Sequence, residues 1–244
     1  MNLPNVHGII RRRILVNFRV EPEVMQRQLP SPFRPKLHHG KAIAGICLIR
    51  LENIRPKRFP EIVGFSSENA AHRVAVTWCE NGTTREGVYI PRRDTGSLIN
   101  HLAGGRIFPG EHHRAKFNVR DVGERIDLQM KSVDGDVEVK LAASVATELQ
   151  STSSFANVLE ASAFFEAGAL GYSATSEGNR LDGLLLKTFS WHVAPLAVEH
   201  VYSSFFGDPA RFPRDSVAFD CALIMRNIGH EWQAASELYI EGAA

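Results

Sequence analysis

No charge of one sign dominates this chain: 28 Lys and Arg stand against 27 Asp and Glu, for a formal net charge of +1. Such a balance supplies no general field for drawing in nucleic acid or an anionic membrane. Apolar runs stay short of a membrane span, and the lead before Arg11-Arg12-Arg13 is too weakly apolar for a secretory segment. A cytoplasmic protein with neither nucleic-acid nor membrane partners is the expectation. Cysteine is scarce: Cys47, Cys79 and Cys221 lie far apart without a CxxC pair and read as free thiols. Walker A, GxGxxG and HExxH patterns are missing, as is any clustered Cys/His set, so no metal and no cofactor is expected. His38-His39-Gly40 reads as an exposed turn. Linkers rich in Pro, Gly or Ser and fixed-period repeats are absent too, so residues 1–244 read as one domain.

Apolar alternation is plentiful. Ile14, Val16, Phe18 and Val20 alternate with Leu15, Asn17 and Arg19, a strand pattern that also sets Arg11 and Arg13 on the Asn17 side. Glu21-Pro22 opens a short helix, and Ala42 to Leu51 is a nearly continuous apolar run suited to a central strand. Asn81-Gly82 and Asp134-Gly135 mark hairpin turns between His72 to Cys79 and Glu86 to Ile90, and between Arg125 to Val133 and Val137 to Val145. A strand from His113 to Arg120 precedes the second hairpin. Gly96 to Ala103 predicts a brief helix, and Ser154 to Gly168 a longer one behind a serine cap. Leu184 to Trp191, Leu196 to Val201, Val217 to Met225 and Glu231 to Ile240 complete the strands. The expected class is α+β, mainly antiparallel β, curved or closed to avoid long free edges.

Five blocks carry a family resemblance: Ser66 to Ala71, Glu86 to Asp94, Gly104 to His113, Gly171-Tyr172-Ser173 and Ser203 to Phe206. In that order the chain resembles the DUF2071 (COG2071, YqjF-like) family of the acetoacetate-decarboxylase-like superfamily. The resemblance implies a β-cone or open barrel with a few short peripheral helices, a buried small-molecule pocket and a homo-oligomer. In the decarboxylases a loop lysine forms a Schiff base with the keto substrate, activated by a second cation and an apolar wall. Residue by residue, Arg11 falls near the arginine before the first strand and Glu68 near the glutamate beside the Schiff base. A second acid falls at Gly45. The lysine pair becomes Gly110 and Glu111, so the imine nucleophile is missing.

The residues weighed for chemistry are Glu68, His112 and His113 for proton transfer, with Arg11, Arg92, Arg106, Glu111, Tyr89 and Tyr172 for ligand binding. Each has an ordinary alternative. Glu68 can be a capping carboxylate, and the histidines simple hydrogen-bonding groups. His112 and His113 leave a strand on opposite faces, so only one points inward and the two cannot share one ion. Arg92 and Arg93, after Pro91, can divide ion pairing and anion binding between them. Asp220, inside an apolar strand, needs a cation such as Arg226. Lys116 and Lys187 are substitute amines off the family position. These residues support two readings: a non-imine lyase, hydratase or isomerase acting on a keto or carboxylated metabolite, or a ligand-binding or sensing protein on the same scaffold.

Overall fold

The computed structural model describes residues 6–57, 59–60, 62, 64–98, 110–175 and 177–240. The first half contains β1 (Val6–Val20), α1 (Pro22–Gln26), β2 (Arg34–Pro35), β3 (Leu37–His38), β4 (Lys41–Pro56), β5 (Phe65–Glu80) and β6 (Thr83–Thr95). The meander β7 (His112–Val122), β8 (Arg125–Ser132) and β9 (Glu138–Val145) leads to α2 (Val158–Glu166). Then come β10 (Leu170–Ala174), β11 (Arg180–Thr188), β12 (Ala194–Ser203) and β13 (Val217–Tyr239).

Asn81 and Gly82 both take left-handed φ, 51° and 75°, as a two-residue hairpin turn requires. The cap of α2 is Asn157, whose Oδ1 accepts from Glu160 N at 3.0 Å, so the helix starts later than the expected serine cap. Most of the helix expected from Gly96 to Ala103 lies outside the described residues. β10 is an element the periodicity did not show: five residues, one of them Gly171, are too few for alternation to stand out.

The strands form one mainly antiparallel sheet that closes on itself twice. One ring runs β5-β6-β7-β8-β9-β12-β13-β1-β4; a second leaves β6 through β10 and β11 and rejoins at β13. Only β6–β7 and β6–β10 pair in parallel among the described strands. β1, β4, β5, β6 and β13 belong to both rings, so much of their length is covered on both faces. That double burial is why Ala42 to Leu51 reads as a continuous apolar run. Ile14, Val16, Ile46, Leu48 and Leu128 fill the first ring. On the other face α2 packs Ala161 and Phe165 against Leu15, Ile43 and Ala75. β13 is a single strand of 23 residues, not two, because its first part pairs with β12 and its last part with β11.

Candidate functional site

Three strand registers build a cationic cluster in the second ring. Across β1, β4 and β5, Asn17 faces Gly45 and Gly45 faces Arg73. Glycine leaves the middle place empty, so Arg73 Nη2 reaches over it to donate to Asn17 Oδ1 at 2.5 Å. In the next row Cys47 faces Ala71, which faces Arg93, and the small alanine leaves the guanidinium and the thiol in one space. Arg13 Nε donates to Cys47 Sγ at 3.3 Å, and Arg93 Nε to Ser173 Oγ at 3.0 Å. Arg13, Cys47, Arg73, Arg93 and His112 border one cavity of about 120 Å³, whose other walls are mainly apolar, among them Leu51, Ile54, Leu186 and Trp232, with Asn69 and Asp94 as the further polar members. At roughly 10–15 Å³ per water-sized group, that space suits a small organic acid.

No direct ion pair among the described residues answers the charge here, and Asp182 acts on Arg93 only at longer range. Among the described residues no carboxylate oxygen lies within 4.0 Å of Arg13, Arg73 or Arg93. Arg73 is only 5% exposed, its guanidinium lies over the Phe165 ring at 5.0 Å, and its Nε has no partner. Burial pulls the pKa of both Arg73 and Arg93 down to about 10, which still leaves two full positive charges at neutral pH. Burying a guanidinium costs several kcal/mol unless an anion answers it. Asp94, which also borders the cavity, is already bonded to Arg92 through Nε at 3.1 Å and Nη2 at 2.9 Å.

Bulges decide which of the expected residues reach this cavity. Against β4 the register slips between Ile10 and Arg12, and Arg11 turns outward to Asn227 Oδ1 at 2.8 Å. Arg13, not Arg11, therefore lines the cavity. On β6 a slip between Tyr89 and Arg92, at Pro91, leaves Val88, Ile90 and Arg93 on the cavity and Tyr89 in the first-ring core with Phe33. Arg92 is spent on Asp94, Asp134 and Asp136. Tyr172 packs edge-on against Trp78 in the same core.

Glu68 lies outside the cavity lining. Its Oε2 accepts from Arg12 Nη2 at 2.7 Å, in a network where Arg12 also meets Asp121 and Asp121 is gripped by Arg226. Burial raises the Glu68 pKa while Arg12 opposes the shift. Asp220 meets Arg19 at 3.3 Å and Ser153, not Arg226. His112 lines the cavity, whereas His113 points the other way to Asp134 Oδ2 at 3.1 Å and Glu111 is exposed. Arg106 lies outside the described residues.

No lysine borders the cavity among the described residues; Lys187 lines an adjoining cleft of about 250 Å³ that shares Arg13, Gly168, Ala169 and Leu186 with it, and Lys116 is exposed. Gly45 and Gly110, where the resemblance implied lost side chains, are packed shut. A Cβ at Gly45 would strike the Val16 carbonyl oxygen. Gly110 has φ of +74°, donates its N–H to Asp182 Oδ2 at 3.1 Å, and a Cβ there would lie 2.5 Å from Ser173 Cβ. His38, His39 and Glu160 form a group whose nitrogen and oxygen atoms lie within 4.8 Å of one another, a spacing that could hold a metal ion, at the turn before β4 and away from the cavity.

Residues 10–179 match the model of the DUF2071 family, described as an uncharacterized conserved protein (COG2071). No curated protein matches the chain. Solved structures share the fold at low identity. The enduracididine biosynthesis enzyme MppR aligns with TM-score 0.57 and 12% identity, covering 100% of this chain and 90% of its own. Acetoacetate decarboxylase from Legionella pneumophila aligns with TM-score 0.57 and 12% identity, covering 96% and 88%. An acetoacetate decarboxylase-like enzyme from Sphingomonas wittichii aligns with TM-score 0.56 and 10% identity, covering 99% and 94%.

Proposed function

This chain belongs to the DUF2071 family, and we propose that its second-ring cavity binds a small carboxylate, a 2- or 3-oxo acid, without forming an imine. The observation that carries this is the convergence of Arg13, Arg73 and Arg93, none with a carboxylate within 4.0 Å among the described residues, on a space whose remaining wall is mainly apolar and whose one carboxylate, Asp94, is bonded to Arg92. Guanidiniums held this way pair with a planar carboxylate through two parallel hydrogen bonds, and the apolar wall accepts a short hydrocarbon end. MppR, which shares the fold, has been solved with pyruvate, in keeping with a scaffold that accommodates such acids.

Binding without turnover is the first reading, because Glu68, the acid matched to the family's site, is committed to Arg12. His112 supports the second, a non-imine lyase, hydratase or isomerase, since an imidazole on the cavity wall can carry a proton to or from a bound acid. Thermal-shift screening of pyruvate, acetoacetate and short carboxylates against their neutral amides tests the proposal, with NMR of the mixtures for products. Stabilisation by acids and not amides is expected. Equal stabilisation by both, or by neither, refutes an anion site, and product formation selects the second reading.

A further inference from the structure

We propose that Cys47 is the nucleophile of this cavity, placed to bond reversibly to the carbonyl carbon of a 2-oxo acid whose carboxylate rests on the surrounding arginines. The inference rests on the acid-binding reading above and adds a covalent step to it.

The three cysteines occupy three different settings. Cys221 is 1% exposed, and burial pushes its thiol up to about 12, which makes it inert at neutral pH. Cys79 lies on the surface. Cys47 is shielded from bulk water at 8% exposure yet borders the cavity, and its sulfur accepts from Arg13 Nε at 3.3 Å. The registers set Arg73 and Arg93 around the same sulfur, and both guanidiniums feel it electrostatically. A cysteine sulfur set among fixed positive charges in a small enclosed space is the arrangement reactive cysteines use. Arg73 Nε, buried and without a partner, supplies an independent sign that this space is built for an anion.

The addition balances without an oxidant. The sulfur lone pair forms a C–S bond to the keto carbon, and the carbonyl π electrons move to oxygen. That oxygen takes up a proton equivalent to the one the thiol has lost, with His112 on the same wall as a carrier. Reversal returns thiol and oxo acid unchanged, so the adduct replaces the imine as a covalent hold but cannot act as its electron sink.

Alkylation resolved by peptide mass spectrometry tests this in the native protein, with Cys79 as the internal reference. Iodoacetate and iodoacetamide carry the same leaving group and differ in charge. Relative to Cys79, Cys47 should prefer iodoacetate by about tenfold or more, the order by which a focused field raises encounter with an anion. Arg13→Gln should reduce that preference and pyruvate should protect Cys47. With [2-13C]pyruvate, wild type should show a tetrahedral carbon signal that Cys47→Ser lacks. If pyruvate binds by calorimetry but Cys47 shows no preference for iodoacetate and no adduct forms, the nucleophile is refuted and acid binding stands. If pyruvate does not bind and Cys47 shows no anion preference, both fall.

Discussion

Replacing Gly110 by lysine, the position at which the resemblance would put a decarboxylase's amine, should damage the protein without producing imine chemistry. Two separate penalties apply. A side chain at φ of +74° costs about 1–2 kcal/mol in the left-handed region. A Cβ 2.5 Å from Ser173 Cβ forces β10 to shift, an overpacking cost of about 1–3 kcal/mol. Together they come to roughly 2–5 kcal/mol, against a total stability on the order of 5–15 kcal/mol. At about 2–4 °C per kcal/mol for a chain of this size, the melting temperature should fall by roughly 4–20 °C. Gly110→Ala should lose a similar amount, since both penalties begin at Cβ. Glu111→Lys, one residue on and exposed, should melt with the wild type. Calorimetric melting and borohydride trapping with acetoacetate provide the readouts. Wild-type stability in Gly110→Lys together with a borohydride-trapped adduct would refute the view that glycine packing has closed the amine position.

Other consequences concern stability and pH. Arg92→Met strands Asp94, fully buried and bonded to Arg92, and should cost about 3–5 kcal/mol in urea denaturation while oxo-acid binding persists; abolished binding with unchanged stability would show Arg92 to be a ligand group. His72 is buried against Phe205, and its pKa is pushed down to about 3, first by burial and then by Arg92 and Arg211. The unfolded chain protonates this histidine near its ordinary value of 6.5. Native stability therefore falls as pH drops below that value toward 3, by up to about 1.4 kcal/mol per pH unit from this group. His72→Phe should flatten the decline of melting temperature between about pH 6.5 and pH 5, and an undiminished slope would contradict the assignment.

Much of the fold was legible because the alternation in β1, the Asn81-Gly82 turn and the continuous run in β4 are local signals. Facing was not, because one bulge inverts every side chain beyond it. The slips at Arg11 and Pro91 moved the site from Arg11, Tyr89 and Arg92 to Arg13, Ile90 and Arg93. Pro91, expected at a strand end, lies inside β6, where a proline marks such a slip. The strands expected over Val217 to Met225 and Glu231 to Ile240 are one, because Asn227 takes a left-handed φ of 57° and β13 continues through it. Arg73 and Cys47 carried no motif. Their meaning depends on Gly45 and Ala71 standing between them and their neighbours across the sheet, which only the register discloses.

Titration calorimetry of pyruvate into wild type, Arg93→Met and Glu68→Gln tests the cavity assignment most directly. Saturable binding should persist in Glu68→Gln and weaken by about tenfold or more in Arg93→Met, the loss expected from one hydrogen bond to a charged group. Full affinity in Arg93→Met with none in Glu68→Gln would place the site on the Arg12 network instead and contradict the account.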